Sequence, residues 1–192
     1  SGCAISGIMS ESGRRFSGES IMDSIINMRE RSNGLGGGFA AYGIYPEHRD
    51  RYAFHLMCGD HEARKAAERL LKGRCRVHHD EPIPTRPVDR IQNRPVLHRY
   101  FLDIKEEELE RHYELSEQDL VVQVVMEINA EVEGAYVFSS GKNMGVFKGV
   151  GYPGDIGRFF RLDEYEAYLW TAHGRFPKIG RASCRERVYC EV

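Results

Sequence analysis

An α+β fold is what this sequence of 192 residues predicts. Three observations carry that expectation. Strand-like runs flank short turns at 39–45 with 51–58 and at 135–141 with 144–149, which is hairpin spacing. Apolar residues recur at helical period over about 18–31, 61–72 and 120–131, as in helices that bury one face against a sheet. The length suits one domain with a substantial core.

The elements follow in order. Cys3 to Met9, small and β-branched before the turn Ser10-Glu11-Ser12-Gly13, reads as a first strand. Ile21, Met22, Ile25, Ile26 and Met28 trace a helix that stops at Ser32-Asn33-Gly34. Phe39 to Tyr45 is strand-like, Pro46 to Asp50 a turn, and Arg51 to Cys58 the returning strand. Asp60 caps a helix over His61 to Lys72 with Ala63, Ala66, Ala67, Leu70 and Leu71 on its inner face, and Gly73 ends it. A strand at Arg74 to His79 leads into Asp80 to Pro95, where Pro82, Pro84, Pro87 and Pro95 predict a connector or extended edge segment without regular structure.

Val96 to Asp103 alternates as a strand, and Ile104 to His112 is a short acidic helix. Ser116 with Asp119 resembles a capping box ahead of the helical face Leu120, Val121, Val124, Val125 and Ile128; the β-branched content leaves a strand open there. The strands 135–141 and 144–149 turn about Gly141-Lys142-Asn143. A brief helix starts at Pro153 and runs to about Phe160, and Glu166 to His173 is a last strand delivering Gly174-Arg175-Phe176-Pro177.

Bulk properties exclude several partner classes. The formal net charge is −2, with 27 Lys and Arg scattered among 29 Asp and Glu, so neither nucleic acid nor an anionic membrane is suggested. No apolar run approaches the roughly 20 residues of a spanning helix, and no signal-peptide pattern opens the chain. A cytoplasmic protein is the expectation. Five cysteines without a C-x-x-C pair fit a reducing compartment.

Candidate chemistry begins with Cys3. If Ser1-Gly2 is trimmed, the α-amino group of Cys3, with an ordinary pKa of about 7.7 to 8.0, can take the thiol proton locally. A small apolar core residue is the competing reading. Gly34-Leu35-Gly36-Gly37-Gly38 precedes a strand rather than a helix, so it reads as a tight loop near the Cys3 strand or a small ligand and not as a phosphate cradle. His78-His79 point apart on a strand, without metal-ligand spacing to His98 or His112, so no metal is expected. Arg175, at the mouth of the last strand, can hold a carboxylate with its two-pronged guanidinium.

Four stretches in this order resemble the class II glutamine amidotransferases. They are Cys3-Ala4-Ile5-Ser6-Gly7-Ile8-Met9, Arg31 to Pro46 with its glycine run, Ser139 to Gly151, and Trp170-Thr171-Ala172-His173-Gly174-Arg175-Phe176-Pro177. The likeness covers Cys3 to Pro177 and is nearest to the stand-alone glutaminase subunit of glutamate-synthase-like complexes. It implies an N-terminal-nucleophile hydrolase fold, a four-layer αββα sandwich of two stacked antiparallel sheets between helical layers. It also implies that Cys3 attacks the glutamine side-chain amide and forms a glutamyl thioester, that ammonia passes to a glutamate-synthase-like partner, and that Arg175 holds the glutamine α-carboxylate with His173 supporting the pocket. No cofactor is implied in this domain.

The family pattern continues past Pro177 with a Thr-Asn-Thr run, an oxyanion-stabilising Asn-Gly pair and an Asp for the substrate amino group. Residues 178–192 carry none of these; they lack periodicity, and Ile179 to Val188 resembles a translated sequencing adapter. The expectation is therefore a partial domain over 1–177, incomplete at its C-terminal side, with a non-native tail over 178–192. Turnover would be impaired, since one lost oxyanion donor typically raises a barrier by roughly 3 to 4 kcal/mol. The alternatives are a non-catalytic interaction subunit of a synthase complex and another amide hydrolase of the same fold.

Overall fold

The computed structural model describes residues 4–28, 32, 34, 36–91 and 94–174. In chain order its elements are β1 (Ile5–Met9), β2 (Phe16–Ser17), α1 (Glu19–Ile26), β3 (Gly37–Tyr42), β4 (Tyr52–Cys58), α2 (His61–Arg74), β5 (Cys75–Pro82), β6 (Val96–Ile104), α3 (Glu106–Arg111), α4 (Glu117–Glu131), β7 (Ala135–Ser139), β8 (Met144–Gly149), α5 (Pro153–Phe159), β9 (Glu166–Ala167) and β10 (Leu169–His173). The fold is α+β, with every strand pair antiparallel. One four-stranded sheet has the order β1-β10-β3-β8 and a second β5-β6-β4-β7, while β2 and β9 form a small ribbon. No helix among the described residues is long and apolar enough to cross a membrane.

Both expected hairpins are absent as ladders. β3 and β4 lie in different sheets, and so do β7 and β8. The two connectors satisfy each other instead. Gly43 N–H donates to Asn143 O at 2.7 Å and Ala53 N–H to Gly141 O at 2.9 Å, while Tyr45 N–H reaches Asn143 Oδ1 at 2.8 Å. Buried backbone groups need partners, and here two crossing loops supply them to one another, so each loop carries the chain from one sheet to the other.

Smaller differences have local causes. Gly73 does not end α2, which runs to Arg74 and passes directly into β5. β5 reaches Pro82, further than expected, because Glu81 and Pro82 still pair with Arg99 and His98 of β6; the proline sits at the end of an edge strand, where its missing N–H is tolerated. The last strand breaks at Tyr168, leaving β9 and β10 with different partners. The segment expected as helix or strand near 120–131 is helical.

Two apolar clusters hold the molecule. Side chains of β1, β3, β8 and β10, among them Phe39, Phe147 and Trp170, pack with Ile21 and Ile25 of α1 and Ile156 of α5; Ala53, Leu97, Phe101 and Phe138 of the second sheet join the same cluster. Trp170 is fully buried, and its indole N–H donates to Phe16 O at 3.1 Å, so its polar edge stays paired. On its other face the second sheet packs Phe54, Leu56 and Tyr100 against Leu71 of α2 and Leu120, Val124 and Ile128 of α4. β4 is thus buried on both faces, which is why its sequence reads as nearly continuous apolar residues.

The predicted cap at Ser116 is present as a full capping box. Its Oγ accepts from Asp119 N–H at 3.1 Å, and Ser116 N–H donates to Asp119 Oδ2 at 3.2 Å. Ser116→Ala is expected to lower stability by about 1 kcal/mol, read as a lower urea midpoint with unchanged slope.

Candidate functional site

The stretches singled out in the sequence converge at one end of the first sheet. β10 lies between β1 and β3, with His173 opposite Ile5 on one side and Gly38 on the other. Beyond the last ladder pair, Gly174 N–H donates to Ala4 O at 2.9 Å. Cys3 and Arg175 lie outside the described residues, as do Asn33, Leu35 and the tail 175–192. Ala4 and Gly174, the residues joined to them in the chain, form a hydrogen-bonded pair.

The glycine run sits against β10 rather than β1, because β10 is inserted between β1 and β3. A side chain at Gly37 would bring a Cβ to 2.7 Å from His173 O and 3.2 Å from Pro153 Cγ. At Gly38 it would lie 3.0 Å from His173 Nε2 and 3.0 Å from Phe147 O. The absence of side chains here lets the His173 imidazole lie over the β3 backbone. Ser32 closes the same corner, its hydroxyl donating to Gly174 O at 2.5 Å. Lys148, opposite Gly38 on β8, brings its Cγ to 3.2 Å from the Cβ position of Gly38.

Away from this corner, the two sheets are joined by a buried polar chain with a fixed direction. His55 Nδ1 lies 2.9 Å from Val146 O, a carbonyl that can only accept, so Nδ1 carries the proton. Nε2, 2.8 Å from Tyr45 Oη, therefore accepts from the tyrosine. Arg99 donates to Tyr45 Oη at 3.2 Å, to Tyr165 Oη at 2.8 Å and to Glu81 Oε1 at 2.8 Å. Burial pulls the His55 pKa down to about 3, against the Val146 hydrogen bond and with help from Arg99. Burial also raises Tyr45 well above the usual tyrosine range. Both are neutral at physiological pH, and the chain braces the two sheets.

Two other cysteines are described. Burial pushes the Cys75 thiol up to about 12 and raises Cys58 as well, so neither supplies thiolate near neutral pH. His78 is paired with Asp103, and His98 with Asp80 at 2.7 Å. Among the described residues, no group of three or more His, Cys, Asp or Glu side chains could hold a metal ion.

No family model matches the chain. It is similar to an uncharacterized protein of Archaeoglobus fulgidus, 49% identical over 178 residues, which is 91% of this chain and 47% of the relative. The chain thus spans about half the length of that curated relative.

Sequence reasoning placed the glycines near the Cys3 strand or a small ligand and gave His173 a supporting place in the pocket only through the resemblance, and it assigned no part of their own to Ser32 or Lys148. Ser32 stands in the Arg31 to Pro46 stretch just ahead of its glycine run, and a hydroxyl before a glycine turn is the available signal. For Lys148 the signal was weaker, since a lysine near the end of a half-exposed strand is commonplace.

Proposed function

We propose that this chain is a glutaminase domain of the class II glutamine amidotransferase kind. In that reading Cys3 Sγ attacks the carbonyl carbon of the glutamine side-chain amide, ammonia leaves with the sulfur's former proton, and water cleaves the resulting glutamyl thioester. Arg175 holds the α-carboxylate, His173 lines the pocket, and ammonia passes to a glutamate-synthase-like partner. The base is the α-amino group of Cys3 once Ser1-Gly2 is removed. The four-layer αββα sandwich of N-terminal-nucleophile hydrolases belongs to the same proposal. Two four-stranded antiparallel sheets, one with α2 and α4 against it and the other with α1 and α5, support it.

One observation carries the reading. The 2.9 Å bond from Gly174 N–H to Ala4 O ties together the chain neighbours of the proposed nucleophile and the proposed carboxylate clamp, which are 172 positions apart in the sequence. The raised pKa values of Cys58 and Cys75 add support, because both described thiols are poor nucleophiles.

Incubation with a glutamine-mimicking electrophile tests the assignment. A single covalent adduct on Cys3, seen by intact mass and peptide mapping and absent in Cys3→Ala, is the expected result. Absence of an adduct from protein whose N-terminus begins at Cys3 would instead support a non-catalytic subunit.

A further inference from the structure

We propose that Ser32 is a positioning residue for the carboxylate clamp: by holding the backbone of Gly174, it sets the point from which Arg175 reaches the ligand. The inference rests on the glutaminase reading above and adds to it a residue to which the resemblance gives no role.

Gly174 is buried, and both of its backbone polar groups are engaged. Its N–H donates to Ala4 O at 2.9 Å, and its carbonyl accepts from Ser32 Oγ at 2.5 Å. The first bond fastens the end of β10 to the residue ahead of β1. The second acts one step further along the chain. A peptide group is planar, so the Gly174 carbonyl and the nitrogen of residue 175 turn together. Glycine restricts that turn less than any other residue, so the restriction has to come from outside it. A stiffer residue fits here only if its neighbours shift, since a Cβ at Gly174 would lie 3.2 Å from both Ala4 Cβ and Pro153 Cγ.

The Ser32 hydroxyl is itself oriented. Gly34, in the left-handed region at φ 67°, brings its N–H to Ser32 Oγ at 3.4 Å. That contact occupies a lone pair of the oxygen, and the hydroxyl proton goes to Gly174 O, which can only accept. Without the hydroxyl a buried carbonyl loses this donor, a state folded chains avoid, and rotation of the peptide toward another donor is favoured.

Second-order rate constants for labelling of Cys3 test the proposal, measured with a glutamine-mimicking electrophile that carries a free α-carboxylate and with iodoacetamide, which carries none. Ser32→Ala should slow the first reagent about tenfold, the loss expected from one hydrogen bond, and leave the second within about twofold. Ser32→Thr keeps the hydroxyl and should react like the parent. In an Arg175→Ala background, Ser32→Ala should change the first rate by less than about twofold, because a residue acting only through the clamp has nothing left to position. Parent-like labelling of Ser32→Ala would overturn the proposal, as would an equal fall with both reagents or the full loss persisting without Arg175. These results leave the glutaminase reading standing. A parent protein that takes no label at Cys3 would overturn both together.

Discussion

Acidification below pH 6.5 is expected to destabilise the fold steeply, and His55 is the reason. Its folded-state pKa is about 3, because burial disfavours the imidazolium and Arg99 adds to that, while the Val146 hydrogen bond opposes them. In the unfolded chain it titrates near the ordinary 6.5. Between those values the unfolded state binds a proton that the native state does not, so stability rises with pH there and is lost as pH falls. The slope from this one group is about 1.4 kcal/mol per pH unit, on the order of 5 kcal/mol across the whole window. That is comparable to the entire stability of many domains.

Two features of the site prevent relief in the native state. Nδ1 is committed as donor to Val146 O, and Nε2 faces the Tyr45 hydroxyl, which itself accepts from Arg99. Protonating Nε2 would set two donors against each other beside a guanidinium. His55→Gln can accept from Tyr45 and donate to Val146 O without titrating. Urea midpoints at pH 7, 6, 5 and 4 should fall steeply for the parent and much less for His55→Gln. Parallel curves for the two would remove His55 from the explanation.

Much of the fold was legible in the sequence because its signals were local. The helix at 61–72 was announced by Asp60, whose carboxylate accepts from Ala63 N–H at 2.8 Å, and the helix after Ser116 by its capping box. The strands were found from composition, yet their partners were not. Gly141-Lys142-Asn143 looks like a hairpin turn from its own residues, and only the bonds from Gly43, Tyr45 and Ala53, 88 to 100 positions away, show it to be a crossover. Sheet membership is a non-local property, and no window of ten residues contains it.

For the candidate site the balance is similar. The glycines, His173 and the two strand ends were singled out from the sequence, and the register of β10 between β1 and β3 gathers them at one corner. The insertion of β10 between the other two strands was not foreseen, which is why the glycine run was expected beside the Cys3 strand. Tyr45, His55 and Arg99 were each placed in an expected strand, but no polar role was assigned to any of them. A tyrosine, a histidine and an arginine on three separate segments look like ordinary surface residues until the fold encloses them.

Arg175→Ala is expected to slow labelling of Cys3 by a glutamine-mimicking electrophile roughly a hundredfold, the loss of a two-pronged, charge-assisted contact to the α-carboxylate. The thiol itself should be untouched, because a clamp that acts on the far end of the ligand does nothing for a reagent that lacks that end. Iodoacetamide, which carries no α-carboxylate, reports this directly. The deciding measurement is the pair of second-order rate constants for the two reagents in the parent and in Arg175→Ala. One glutamine bridging both residues requires the first constant to collapse while the second stays within about twofold, a change of a few tenths of a kcal/mol. Equal rates for the carboxylate-bearing reagent in the two proteins, or an equal fall for both reagents, would contradict it.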